Sequence, residues 1–95
     1  MSFIYKREMT ITHADFFRLL PKAIGSTNFC INGQVVKLEQ PGFSVQIKLS
    51  KELNWHIGAL SLPKTYVEIS YNNCSEDEAL KLIQKFDKTY QKGGG

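Results

Sequence analysis

The side chains best suited to proton transfer in this chain are its two histidines, and each has a neighbour that could tune it. His13 lies two residues before Asp15 at a helix start, where a carboxylate can orient an imidazole, although an ordinary solvent-facing helix entry looks the same. His56 stands beside Trp55, the only tryptophan, in a stretch that reads as a loop, and loops of this kind collect binding residues. The plainer reading has Trp55 sealing a sheet edge with His56 in water. A nucleophile elbow, a phosphate-binding loop and a zinc protease each leave a local signature, and the sequence carries none of them. Cys30 and Cys74 are far apart and each stands alone, so neither a redox pair nor half of a zinc site is written. The expectation is a chain without catalytic residues, cofactor or metal.

Charged residues suggest binding more than catalysis. Glu76, Asp77 and Glu78 crowd the first turn of a helix, where negative charge is favoured by the helix dipole by ~0.3–1 kcal/mol, and that role accounts for them. On the same helix Lys81, Lys85, Lys88 and Lys92 share a ridge opposite the apolar stripe. Neighbouring lysines at four-residue spacing repel by a few tenths of a kcal/mol, so helix stability does not favour the pattern. If the ridge binds, its partner is anionic: an acidic protein surface, a nucleic-acid backbone or a lipid headgroup. Specific single-strand recognition is not expected, because no aromatic residue falls between Lys37 and Lys48 on the wet sheet face.

The chain ends in Gly93, Gly94 and Gly95. A terminal Gly-Gly resembles the tail of ubiquitin-like proteins and of the small sulfur carriers of molybdopterin and thiamine synthesis. The resemblance implies a C-terminal carboxylate that threads into an activating enzyme and becomes an acyl-adenylate, then a thiocarboxylate. In those carriers a strand of a β-grasp fold precedes the tail; here a helix does. The alternative has Gly93 stopping the helix and the remainder as loose terminus.

Several elements must carry these residues. Phe3, Tyr5, Met9 and Ile11 alternate with polar neighbours, and strand formers are densest near residues 8 to 12, where the first strand is placed. Thr12 and Asp15 suggest a helix cap. Phe16, Phe17, Leu19, Leu20, Ala23 and Ile24 then follow helical spacing, with a kink or restart expected at Pro21 and an end at Gly25. Asn32-Gly33 and Pro41-Gly42 mark two tight turns of a three-stranded meander. Pairing outward from them sets Phe29 opposite Val36, Val36 opposite Ile47 and Leu38 opposite Val45, and collects Cys30, Val35, Lys37, Glu39, Ser44, Gln46 and Lys48 on the wet face. After a loop through "SKELNWHIG" come "HIGALSL" and "TYVEISY", read as two strands joined by Pro63-Lys64. Ser75 and Glu78 form a capping box, and Ala79, Leu82, Ile83, Phe86 and Tyr90 line a helix ending near Gln91.

The order β-α-β-β-β-β-β-α predicts a two-layer α+β domain: an antiparallel sheet of five to six strands, covered on one face by two helices, over residues 1–92, with a glycine tail at 93–95. It resembles the TATA-binding-protein-like and helix-grip folds in its order of elements, and the latter implies a small-ligand site between sheet and last helix. A length of 95 residues leaves room for one core, and a net charge of +3 permits acidic partners without requiring them. No apolar run reaches the ~20 residues of a membrane span, and the N-terminus lacks a secretory pattern, so a soluble cytoplasmic protein is expected. The leading functional expectation is a non-enzymatic binding or adaptor domain acting on a protein through the lysine ridge or the Trp55-His56 loop. A carrier using its tail and a small-ligand domain are the alternatives. Free sheet edges leave a homodimer open.

Overall fold

Apolar and polar side chains alternate from the N-terminus onward, and the strand they form is longer than its densest patch. In the computed structural model, which describes residues 2–93 and the side chains of residues 2–91, the elements are β1 (Ser2–Met9), α1 (His13–Ile24), β2 (Phe29–Asn32), β3 (Val35–Gln40), β4 (Phe43–Leu49), β5 (Leu53–Ile57), β6 (Leu60–Asn72) and α2 (Glu76–Gly93). The sheet is antiparallel throughout and runs β1-β6-β4-β3-β2, with β5 paired to β6 outside that path. This is the expected two-layer α+β arrangement, with both helices on one face of the sheet. The first strand departs from its expected place at 8–12: it pairs with β6 from Ser2 opposite Asn72 to Met9 opposite Thr65. The partner strand sets its limits, so the density of strand formers misplaces it.

Both helices start as their caps dictate. Thr12 Oγ1 accepts the Asp15 N–H at 3.1 Å, and Ser75 Oγ accepts the Glu78 N–H at 3.2 Å while the Glu78 carboxylate reaches back to the Ser75 N–H. Helix α1 continues through Pro21 without a restart. The proline sits in its last turn and forfeits one amide bond, and its carbonyl accepts from both Gly25 and Ser26. Helix α2 extends past Gln91, and Gly93, expected to stop it, is its last residue.

Between the layers, Phe16, Phe86 and Tyr90 join the helices to each other, the Phe16 and Tyr90 rings stacked at 5.0 Å. Beneath them lie Val36, Ile47, Val67 and Ile69, all buried. Burial of such side chains stabilises by roughly 1.5–3 kcal/mol each, which is what holds the layers together. Arg7 fastens α2 to β1 from the side, donating through Nε and Nη2 to both carboxylate oxygens of Asp87 at 2.9 and 3.0 Å. This hydrogen bonding raises the guanidinium pKa further above its ordinary value.

Register is as expected in one hairpin and shifted in the other. Val36 faces Ile47 and Leu38 faces Val45 across the Pro41-Gly42 turn. In the β2–β3 hairpin, however, Phe29 lies opposite Leu38 instead of Val36, and Ile31 takes the place opposite Val36. The loop residues are Gly33 and Gln34, one position later than Asn32-Gly33, and Gly33 at φ +64° supplies the positive first position that a type II′ turn requires. The shift preserves which face each side chain occupies, so the hydrophobic pattern tolerates either register.

The largest correction concerns residues 51–64. "LNWHI" is a strand, not part of a loop, and the runs on either side of Pro63-Lys64 are one strand, β6. The hairpin turn lies at Gly58-Ala59, with Ile57 opposite Leu60. Pro63 is tolerated because this half of β6 has a neighbour on one side only, and proline is confined to such edges.

Candidate functional site

The β5–β6 hairpin projects beyond the main sheet as an arm. Strand β5 follows β4 along the same side of β6, but one residue is gained between them: Leu49 pairs with Val67, whereas Leu53 pairs with Lys64. Such a bulge reverses the facing of everything after it. Odd residues of β4 point to the helices, and odd residues of β5 point to the opposite, helix-free face. Leu53, Trp55 and Ile57 therefore join Leu60 and Leu62 of β6 on one side of the arm, with Asn54, His56, Ser61 and Pro63 on the other.

Side-chain bonds hold the bulge to the start of α1. Ser50 donates its N–H to the Tyr66 carbonyl at 2.8 Å, and its Oγ accepts the Tyr66 N–H at 2.9 Å. The Ser50 carbonyl accepts from His13 Nε2 at 2.8 Å, which fixes the proton on that nitrogen, and the Glu52 carboxylate accepts the His13 N–H at the helix N-terminus. His13, the first candidate for proton transfer, is thus a latch between α1 and the arm's base.

Among the described residues nothing covers the outer part of the arm's apolar side. Trp55, Ile57 and Leu60 are 50%, 52% and 63% exposed. From Leu53 to Pro63 there is no Asp, Glu, Lys or Arg. Charge returns at the base, where Lys64 is buried, its Nζ 3.4 Å from the centre of the Trp55 ring and ion-paired to Glu8 of β1. A desolvated ammonium over an indole is worth up to ~2 kcal/mol and ties β5 to β6 at the arm's root, while the Glu8 ion pair ties that root to β1. Beside this root a groove of about 510 Å³ opens on the helix-free face, lined by Lys6, Glu8, Lys48, Ser50, Tyr66 and Glu68.

The residues expected to act together are separated. Trp55 and His56 are neighbours in a strand, so they face opposite sides of the arm and do not form one site. Lys81, Lys85 and Lys88 do lie exposed on α2, while the Lys92 side chain lies outside the described residues. The exposed Lys85 ammonium lies close to Gly25, where an added β-carbon would sit 2.7 Å from its Nζ, and so near the C-terminus of α1, where the dipole favours a cation. Gly94 and Gly95 also lie outside the described residues. The helix-free face holds an aromatic residue, Tyr66, 46% exposed on β6, which lies outside the stretch between Lys37 and Lys48. Its lysines, Lys6, Lys37 and Lys48, alternate with Glu8, Glu39 and Glu68, so the face is of mixed charge. Cys30 is exposed and Cys74 buried, both free thiols; burial and then the Glu78 carboxylate push the Cys74 thiol up.

Cavities between the layers are small or already used. The void lined by Ala23, Leu38, Val45, Tyr71 and Leu82 measures about 40 Å³, far below the ~300 Å³ of a small-ligand pocket. A groove of about 320 Å³ runs between β1 and α2, but there Arg7 and Asp87 bind each other and the Tyr90 hydroxyl donates to the Phe16 carbonyl. Among the described residues no group of three His, Cys, Asp or Glu could hold a metal ion, and no helix is long and apolar enough to cross a membrane. No protein-family model matches the chain, and neither a curated protein nor a solved structure does.

Proposed function

We propose that the chain is a small non-enzymatic protein-interaction domain that presents the β5–β6 arm to its partner. The observation that carries this reading is the uncovered apolar side of the arm, Leu53, Trp55, Ile57, Leu60 and Leu62, on a segment without a charged residue. The core closes without it, so folding gains little from keeping these residues apolar. Contiguous exposed apolar surface rimmed by polar groups marks interaction sites, and the groove beside the arm supplies such a rim. The non-enzymatic part of the reading is supported by His13, which is engaged with Ser50, and by His56, which is exposed on the arm and has no hydrogen-bond partner among the described residues.

The other readings have less behind them. An acidic protein docking on α2 would use Lys81 and Lys88, with Lys85 near the end of α1. A carrier function rests on the tail alone. A ligand domain of the helix-grip kind would have to open a void of about 40 Å³.

Site-directed photocrosslinking in cells tests the proposal. A photoreactive phenylalanine analogue at Ile57 is expected to give discrete protein adducts, while the same group at Leu80, which is 41% exposed on α2, gives none. Adducts that are absent at Ile57, or equally strong at both positions, would remove the arm as the binding surface.

A further inference from the structure

We infer that the arm's occupant is a second copy of this chain, joined by antiparallel, edge-to-edge pairing of the two β5 strands with Trp55 on the two-fold axis. The inference rests on the reading of the arm as a binding surface and adds the identity of the partner.

The free backbone groups are the first argument. The pair flanking a two-residue hairpin loop exchanges both of its N–H···O bonds, and bonded pairs recur at every second position. Ile57–Leu60, Trp55–Leu62 and Leu53–Lys64 are therefore the bonded pairs of the arm. Ser50, which donates to Tyr66, continues the same phase into the main sheet. The N–H and C=O groups of Asn54 and His56 consequently point away from β6, toward an edge where, among the described residues, β5 has no neighbour. The arm's other edge presents Ser61 and Pro63, and Pro63 has no N–H to offer. Sheet edges are normally guarded by proline or charge; the β6 edge has its proline, and β5 has neither.

Symmetry is the second argument, and it selects a second copy over an unrelated strand. Strand β5 reads Leu53-Asn54-Trp55-His56-Ile57, apolar and polar residues disposed evenly about the tryptophan. Antiparallel pairing about Trp55 sets Leu53 against Ile57 of the other copy and Asn54 against His56, so apolar meets apolar on one face and polar meets polar on the other. The outward groups of Asn54 and His56 in each copy then satisfy those of the other. The two Trp55 side chains meet in a non-hydrogen-bonded pair, the position where opposed side chains approach most closely. Such an interface is isologous and closes on itself. With no charge from Leu53 to Pro63, the paired segments do not repel.

The area sets the strength. Five paired residues span ~17 Å and bury much less than the ~800 Å² per partner of tight complexes, so a dissociation constant on the order of 10–100 µM is expected. The four-stranded ribbon that results also relieves the marginal stability of an isolated hairpin.

Sedimentation equilibrium of the full chain from about 2 to about 500 µM tests this, and should show a monomer–dimer equilibrium within that range. Asn54→Pro removes an outward amide that β6 does not use, so the hairpin remains while dimerisation weakens by roughly tenfold or more. Ser61→Pro places the same ring on the opposite edge and is expected to leave the equilibrium unchanged. Circular dichroism melts confirm that both variants are folded. A chain that stays monomeric throughout, an Asn54→Pro variant that still dimerises, or equal losses in both variants would each overturn the inference. Monomeric protein that nevertheless forms arm adducts in cells would sink the second copy alone; missing adducts would sink the underlying reading.

Discussion

Tyr90 keeps its hydroxyl inside the protein, donating to the Phe16 carbonyl at 2.7 Å, and burial pushes its phenol well above the ordinary 10.0. Tyr71 is shifted the same way, first by burial and then by the nearby Tyr5 phenol. Both groups bind their protons more tightly when folded than when unfolded. Their contribution is therefore complete below about pH 10 and is lost as pH rises beyond it, since the unfolded chain releases those protons first. Urea midpoints should accordingly stay level between about pH 7 and 8 and fall from about pH 9 upward, first through the buried Cys74 thiol, which is shifted the same way, and then through the two tyrosines. Tyr90→Phe should lower the midpoint at neutral pH by the equivalent of ~1 kcal/mol, the lost hydrogen bond, and make the alkaline fall shallower. An alkaline limb of unchanged steepness in that variant would show that the loss arises elsewhere.

At the scale of elements, the caps were legible because they are local, and the bulge was not because it is tertiary. The Ser75-Glu78 box can be read from four residues, and removing it tests how much of α2 depends on its start. Ser75→Ala leaves the Glu78 N–H without its acceptor at 3.2 Å and should cost about 1 kcal/mol, seen as a lower melting temperature without loss of helical signal at 25 °C. A melting temperature equal to that of the parent would mean that packing of Ile83, Phe86 and Tyr90 alone holds the helix. The Val36–Ile47 register was equally readable, since turn chemistry and face pattern agree there. In the β2–β3 hairpin two registers share one face pattern, and local chemistry does not choose between Asn32-Gly33 and Gly33-Gln34. Leu53, Trp55 and Ile57 alternate with Asn54 and His56, yet in the sequence a strand is read only from "HIGALSL" onward and the segment "SKELNWHIG" is assigned to a loop. What places it in the sheet is a set of bonds from Ser50, Glu52 and His13, thirty-seven or more residues apart across the contacts to His13, which spacing along the chain does not reveal.

The molecule as a whole is longer than a chain of its size needs to be. Its radius of gyration is 13.7 Å, with extents of 48 × 25 × 20 Å, against about 12.4 Å for a compact chain of this length. The core lies between the main sheet and the helices, and no residue from Asn54 to Pro63 belongs to it. On the proposed function, stability and interaction fall in different parts of the molecule, and the two are separable. Leu53 and Lys64 form a bonded pair, the kind that closes a two-residue loop, so Asn-Gly in place of residues 54–63 should cap the sheet at its natural end. The shortened chain is expected to unfold cooperatively with stability within ~1 kcal/mol of the parent, because the deletion removes only the Trp55 contact over Lys64 and a two-stranded ribbon. Small-angle scattering at low concentration should show its radius of gyration falling toward the compact value. A shortened chain that loses cooperative unfolding would instead make the arm part of the folding unit, and its apolar side could no longer be assigned to a partner.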